Sequence, residues 1–367
     1  MNIASKNIAS QLGHWFQVNK RDLPWRHLST PYRVWVSEVM LQQTQASRVI
    51  LFFERWMERF PTINHLASAS EGQVLKLWEG LGYYSRARAL HNAAKYLVEH
   101  HNGALPDSAE ALQSIKGIGP YTVGAIRAFG FHKKAAAVDG NVIRLIARLF
   151  AINDDISKNK TKNNIWKQAE ELLPEKEPWV VAEAMIELGA LICTPKKPNC
   201  IACPLQTMCQ SVAIGAENEI PVNSKKIQYT PLFREVLVLL HKDLILLKKG
   251  EENKIMHGLY EFPYFEGKKG GMSPQKAQEQ AKELFAFSLN FREKLEEEKQ
   301  SFTRYRVTLY PKIFSVDKPF KLPGYEWKTL EQIEKLPFSS GHKRILKKLS
   351  SLRDNDVSDI LNQIFPL

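Results

Sequence analysis

Apolar residues recur at helical spacing through the first 215 positions. Four segments carry the i, i+3, i+4, i+7 pattern of a helix with one face in a core: Val36/Val39/Met40/Gln43 (polar at its last position), Val74/Leu77/Trp78/Leu81, Leu90/Ala93/Ala94/Leu97 and Val181/Ala184/Met185/Leu188. Ser68 to Glu71 and Asp107 to Glu110 have capping-box spacing and predict two helix starts. The pattern changes near residue 216. AENEIPVNSKKIQYTP is polar, holds two prolines and has no period, so it reads as a linker. Beyond it, EVLVLLHKDLILLKKG (235–250) places two apolar runs around His241-Lys242-Asp243 and predicts a β-hairpin. Strands are expected again over 258–265 and 303–316, and the charged stretch 274–299 has helical spacing. An all-α first region is therefore followed by an α+β second one.

Length, 367 residues, fits two or three domains. Hydrophobic residues at 44% and charged residues at 25% exclude a disordered or fibrous chain. No stretch of 18 apolar residues is present, so no membrane span is expected. The start, MNIASKNIASQLGHW, lacks the basic-then-apolar pattern of a signal peptide, and an intracellular location is expected. The 51 Lys and Arg against 39 Asp and Glu give a net charge of +12, spread over both regions. That favours a polyanionic partner, but charge alone does not separate a nucleic-acid binder from a generically basic protein.

All four cysteines, Cys193, Cys200, Cys203 and Cys209, lie within 17 residues as C-x6-C-x2-C-x5-C. Thiolates bind soft metals, and an intracellular chain seldom pairs them as disulfides. Pro195, Pro198 and Pro204 make the loop compact. Four unrelated thiols would not cluster so closely, yet the spacing leaves iron–sulfur and zinc both open. In LQSIKGIGPYTVGAIRAF (112–129), Gly117, Gly119 and Pro120 break the chain before a helix near Tyr121. Backbone N–H groups at such a turn suit a phosphate, with Lys116 adding charge; an ordinary connector would look similar. Glu38 lies about 200° around its helix from Val36 and shares a face with Gln42 and Gln45. That face could meet a base or simply water. Asp139, ahead of a helix in AAAVDGNVIRLIARL, reads as an N-cap. Trp25, Tyr83, Tyr84 and Tyr121 neighbour basic residues, as base-stacking aromatics do, although each alone could be core; the Gly82–Ser85 context favours exposure for the Tyr83-Tyr84 pair.

Taken together, LPWR (23–26), SEVMLQQTQ (37–45), LWEGLGYYSRAR (77–88), KGIGPYTVGAI (116–126), VDGNV (138–142), AMIELGALIC (184–193) and the cysteine loop resemble the adenine DNA glycosylase (MutY) family of the helix-hairpin-helix superfamily. GLYEFP (258–263) and FTRYRVTLYP (302–311) carry a looser likeness in the second region. The resemblance implies a helical catalytic region over 1–215. Within it a six-helix domain at about 30–138 packs with 1–29 and 139–215, the latter bearing the loop 193–209. A linker (216–230) and a Nudix-like domain (231–367) follow. It implies base excision repair by a monofunctional glycosylase that removes adenine opposite 8-oxoguanine or guanine and leaves an abasic site. Glu38 would protonate the leaving base and Asp139 stabilise the cationic sugar. Trp25, Arg26, Glu183, Tyr121 and Asn141 would line the adenine and sugar pocket. Gln42, Gln43, Tyr83, Lys116, Gly117 and Gly119 would meet DNA. Phe338, Ser339, Ser340 and His342 would form the turn that reads 8-oxoguanine, two residues longer than the family's Phe-Ser-His-like turn. Arg304 stands where many relatives carry His. The four cysteines would hold one 4Fe-4S cluster. A monomer acting on mismatched double-stranded DNA, without a membrane, in a bacterial cytoplasm at the nucleoid, completes the expectation.

Three alternatives share parts of this pattern. An endonuclease III-like lyase needs a Lys where Tyr121 stands, because a phenol cannot form a Schiff base. A non-enzymatic iron–sulfur DNA-binding protein would need neither Glu38 nor Asp139. A Nudix hydrolase needs an acidic R-E-x-x-E-E-x-G helix, and FREKLEEEKQ (291–300) lacks its glycine and reads as a solvated helix face.

Overall fold

The computed structural model describes residues 3–225, 228–252, 254–285 and 288–354. Parts of the expected linker (226–227), of the charged stretch (286–287) and of the expected second domain (355–367) lie outside these residues. The chain divides into two compact units, Met1–Ser68 with Ala89–Lys226, and Ala69–Arg88 with Ile227–Leu367. The expected helical region thus contributes residues 69–88 to the second unit.

The first unit is helical. Ile3–Asn19, Gly140–Leu149, Asn159–Glu171 and Pro178–Leu191 bury one continuous core, with Leu12, Phe16, Leu145, Ile165, Met185 and Leu188 at its centre. Around Pro31–Leu41 and Ala46–Arg59 the core is aromatic: Trp25 meets Phe53 edge-on, and Trp56 does the same to Phe60. The helix caps differ from the expected ones. Ser70 with Gln73 forms the capping box, and Ser108 caps the helix Ala109–Ser114, each one or two residues beyond the predicted cap. Residues 216–224 are not a free linker. Ile220 is buried in the first core, its carbonyl accepts from Arg148 Nε at 2.8 Å, and Ser224 bonds Asp155.

The second unit is built on strands β1 (Thr230–His241), β2 (Leu244–Lys249), β3 (Tyr260–Glu261), β4 (Tyr264–Glu266), β5 (Asn290–Lys294), β6 (Glu298–Phe302), β7 (Tyr305–Ser315) and β8 (Tyr325–Thr329). The order is β3-β2-β1-β7-β5, with β4 on β1, β6 on β7 and β8 on β2. The predicted hairpin 235–250 is β1–β2. Its apolar run is continuous because β1 pairs in parallel with β7 at the sheet centre and is covered on both faces. Val236, Val238 and Leu240 pack against Ile345 and Leu349 of the helix Ser340–Asp354. Leu237 and Leu239 pack against Ala277 and Ala281 of the helix Pro274–Phe285. The charged stretch 274–299 is helical only to Phe285; 290–294 and 298–302 are strands, because their alternate residues Glu298 and Gln300 turn inward beside β7.

Lys312 on β7 and Glu235 on β1 form a fully buried ion pair, and Glu235 Oε1 also accepts from Met272 N at 2.7 Å. Removing one partner strands a buried charge. Lys312→Met should therefore lower the unfolding free energy of the full chain by about 3–5 kcal/mol. Adding Glu235→Gln, which keeps the bond to Met272, should recover most of it. Denaturant titration followed by tryptophan fluorescence measures both.

Candidate active site

Glu38 sits in the helix Pro31–Leu41 and is 6% exposed, not on a wet face with Gln42 and Gln45. Those two glutamines lie beyond that helix, Gln42 at its C-cap and Gln45 at the next helix's N-cap. Tyr121 reaches Glu38 from the helix Pro120–Ala125, which continues into a wider-wound turn, Ile126–Gly130. Such widened turns recur at functional sites. Gly130 lets the two segments touch: a Cβ there would lie 2.7 Å from Pro31 Cα. The Tyr121 hydroxyl donates to Glu38 Oε2 at 2.5 Å. Burial pushes the Glu38 carboxyl up to about 7. The Tyr121 bond pulls partly against this, and the charges of Asp139 and Glu183 add to it. Glu38 is thus an acid poised near neutral pH.

Asp139 is the N-cap of the helix Gly140–Leu149. Its Oδ1 accepts from Asn141 N at 2.9 Å and Val142 N at 2.8 Å, and its Oδ2 from Asn141 Nδ2 at 2.7 Å. Burial raises its pKa, and these donors and Arg144 hold the rise back. Gly189 sits against Asn141, where a Cβ would approach to 2.7 Å, so the helix Pro178–Leu191 closes on the cap. Glu183 on that helix accepts from Arg26 Nε at 2.5 Å. Trp25 is buried against Phe53 rather than open to a base. The first unit therefore gathers Glu38, Asp139, Tyr121, Asn141, Arg26 and Glu183 into one electrostatically coupled group.

Sequence reasoning missed Glu187. It is buried and accepts from Arg21 Nε and Nη2 at 2.8 Å each and from Arg26 Nη2 at 3.1 Å. Burial pushes it up, but the two guanidinium groups outweigh that and hold it at about 2. Its i, i+4 spacing from Glu183 was the available signal.

The four cysteines line one recess, walled by Leu145 and Leu149. Burial pushes the Cys200, Cys203 and Cys209 thiols up, Cys203 to about 11. The recess brings four soft thiol donors together, although among the described residues no group of three or more His, Cys, Asp or Glu is placed to hold a single metal ion. Arg148 Nη1 lies 3.3 Å from Cys193 Sγ. Arg144 joins this loop to the acid site: its Nε donates to Cys193 O at 2.6 Å and its Nη2 to Asn141 Oδ1 at 2.9 Å.

Lys116, Gly117 and Gly119 are exposed on the turn between Ala109–Ser114 and Pro120–Ala125, with Gly117 at φ 97°. Gln42 and Gln43 are exposed too, Gln43 at φ 56°. In the second unit Tyr83 is 43% exposed, whereas Tyr84, expected beside it in solvent, is buried. The turn 338–342 needs the larger correction: Phe338 and His342 are 0% exposed and Ser339 2%, leaving Ser340 alone facing solvent. Phe338 packs beside Phe262. His342 Nδ1 accepts from Phe262 N at 3.0 Å, and burial lowers its pKa to about 3, so it is a neutral core imidazole. The exposed turn nearby is Thr303-Arg304, between β6 and β7, with Thr303 at φ 49°. Phe302, Thr303, Ser340, Tyr83, Arg88 and Ile255 border a recess of about 990 Å3 within this unit. FTRYRVTLYP was the sequence signal for that turn.

Residues 36–171 match the family model described as HhH-GPD superfamily base excision DNA repair protein, and 235–348 match the NUDIX domain. The helical fold is similar to a thermostable thymine-DNA glycosylase (TM-score 0.54, 26% identity, 57% of this chain and 97% of that one). It is also similar to an endonuclease III in a non-covalent DNA complex, at TM-score 0.50 and 21% identity, covering 59% of this chain and 99% of that one. A mouse adenine DNA glycosylase is 44% identical over 211 residues, 55% of this chain and 41% of the relative. The adenine DNA glycosylase of Buchnera aphidicola subsp. Baizongia pistaciae is 35% identical over 254 residues, 69% of this chain and 72% of the relative. The chain belongs to the adenine DNA glycosylase family. It spans less than half the length of the mouse and rat relatives it matches. No described helix is long and apolar enough to cross a membrane.

Because burial raises the Glu38 pKa, its neutral form favours folding fully below about pH 4.5, and that advantage is lost as pH rises through about 7. Glu38→Gln should match wild type at pH 4.5 and exceed it by roughly 3 kcal/mol at pH 8. Thermal unfolding across that range measures the gap, and a constant difference would contradict it.

Proposed function

We propose that the chain is a monofunctional adenine DNA glycosylase. It hydrolyses the N-glycosidic bond of adenine mispaired with 8-oxoguanine or guanine and leaves an abasic site. The observation that carries this reading is the buried Glu38 carboxyl, still protonated near neutral pH and bonded to Tyr121.

Adenine leaves the stack at a cost of a few kcal/mol. Glu38 donates its proton to adenine N7, so a neutral base departs in place of an anion. The C1′–N9 bond breaks, and its electron pair goes with the base. Asp139, aimed by the helix it caps, faces the positive sugar with a carboxylate, and the growing cation favours its ionised form. Water then adds to C1′ and its proton passes to the Glu38 carboxylate, which restores the acid. Arg26 and Glu183 bind the departing base, and Glu187 keeps Arg26 in place. Tyr121 offers no amine to C1′, which supports hydrolysis without strand cleavage. The turn 116–119 grips a backbone phosphate through N–H groups and Lys116. The recess beside Tyr83, Thr303 and Ser340 receives the opposite base. Cys193, Cys200, Cys203 and Cys209 would hold a 4Fe-4S cluster, whose chemistry would be structural ordering of the 193–209 loop while Glu38 and Asp139 carry out the bond breaking.

In a single-turnover assay on an adenine:8-oxoguanine duplex, wild type should release adenine, with strand breaks appearing only after alkali. Glu38→Gln should lose at least about 100-fold in rate, the scale of general acid catalysis. The wild-type rate should fall above about pH 7 as Glu38 ionises. Strand cleavage without alkali would instead favour a lyase.

Iron and acid-labile sulfide in equal amounts should accompany the purified chain and disappear in Cys203→Ala, with loss of the visible absorption band. Zinc in their place would overturn the cluster assignment.

A further inference from the structure

The segment Ala69–Arg88 belongs to the second unit, and three of its side chains close on one turn of that unit. Lys76 Nζ donates to Leu336 O at 2.9 Å. Glu79 Oε1 accepts the Phe338 N–H at 2.8 Å. The Tyr84 hydroxyl donates to Phe338 O at 3.0 Å, and Gly80 N donates to the same hydroxyl at 3.3 Å. Both backbone polar groups of Phe338 are therefore held by side chains five positions apart. The other Glu79 oxygen pairs with Lys76 at 3.2 Å and Lys343 at 3.3 Å. The turn is itself fixed, because Tyr260 N donates to Pro337 O at 2.8 Å and the Phe338 ring lies in the core.

Next to these clamps Tyr83 has the opposite character. It is exposed, at φ 50°, and borders the recess with Thr303 and Ser340. A non-glycine residue in the left-handed region costs about 1–3 kcal/mol and persists only where its surroundings over-determine it. Here the surroundings are the Tyr84 hydroxyl, which closes the 80–84 loop and ties it to Phe338, and Glu79 on its other side.

We propose that Glu79 and Tyr84 are positioning residues. By gripping the Phe338 backbone they hold Tyr83 at the recess, so the second unit sets how far that phenol enters a duplex and which opposite base is preferred. This rests on the reading of Tyr83 as a residue that enters DNA.

The test uses the full chain and duplexes with adenine opposite 8-oxoguanine or guanine, with 2-aminopurine beside the opposite base to report unstacking. Tyr84→Phe and Glu79→Ala should each cut the preference for 8-oxoguanine by about five-fold, the scale of one lost hydrogen bond. They should also lower the fluorescence rise. The loss should lie in affinity, with the rate at saturating enzyme within about two-fold of wild type. Glu79→Gln, which keeps an acceptor for the Phe338 N–H, should restore the signal. Tyr84→Phe added to Tyr83→Ser should cost nothing more. Wild-type preference and fluorescence in Tyr84→Phe and Glu79→Ala, while Tyr83→Ser loses both, would overturn the positioning role and leave the wedge reading intact. Wild-type behaviour of Tyr83→Ser would overturn the wedge reading and the proposal together. An equal fall in saturated rate and melting temperature in both clamp variants would make them merely structural and overturn it too.

Discussion

A carboxyl group held out of water, Glu38 against the Tyr121 phenol, constrains most of the first unit. A buried acid keeps its proton only if the space around it stays dry and no cation reaches it closely. Helices carrying Glu38, Tyr121 and the Asp139 cap must then approach to backbone distance. They do so where Gly130 meets Pro31 and Gly189 meets Asn141, with no Cβ between them. The same unit also holds Glu187, equally buried, at about 2, because two guanidinium groups reach it. Burial is common to both acids; Arg26 acts on Glu38 only weakly through space, whereas Arg21 and Arg26 both hydrogen-bond Glu187. Environment alone has driven two glutamates to opposite protonation states, which is how one fold supplies a proton donor and a permanent anion side by side.

The second acid is placed by different means. Asp139 spends its oxygens on two backbone N–H groups and the Asn141 amide, so the helix that needs a cap also fixes the carboxylate's direction. Asn141 in turn accepts from Arg144, whose other nitrogen bonds the Cys193 carbonyl. Each donor in this chain is spoken for at both ends. The cysteine loop and the cap therefore share one buried arginine, and disorder in the loop would free the group that orients Asn141.

Helix content, the β1–β2 hairpin and the cysteine cluster were legible in the sequence because each has a local signature: a period, two apolar runs, a spacing. What failed depended on partners far along the chain. Glu38 looked solvated because helical angle says nothing about what covers a face; Tyr121, 83 residues away, covers it. Residues 290–302 looked helical because their charges are dense, yet β7 pairs with them and decides the matter. Ser68 and Asp107 had capping spacing, but Ser70 and Ser108 lie where the turn begins. The turn 338–342 matched a motif in composition while its burial belonged to the sheet.

The second unit also illustrates how a fold outlives one chemistry. Its sheet has a parallel centre and two covering helices, and residues 235–348 match the NUDIX domain, while among the described residues its helices lack the acidic R-E-x-x-E-E-x-G pattern; Pro274–Phe285 reads PQKAQEQAKELF. At the rim of the sheet lies the recess bordered by Tyr83, Thr303 and Ser340. In the buried Glu235–Lys312 pair, Glu235 also holds the loop at Met272 and so pins β1, β7 and the approach to the covering helix together. Phe302 and Thr303 lie on one side of the recess and Ser340 on the other. Under the proposed function the opposite base is told apart from guanine by small differences at its rim, and discrimination is a difference between two bound states that a yielding site would accommodate alike.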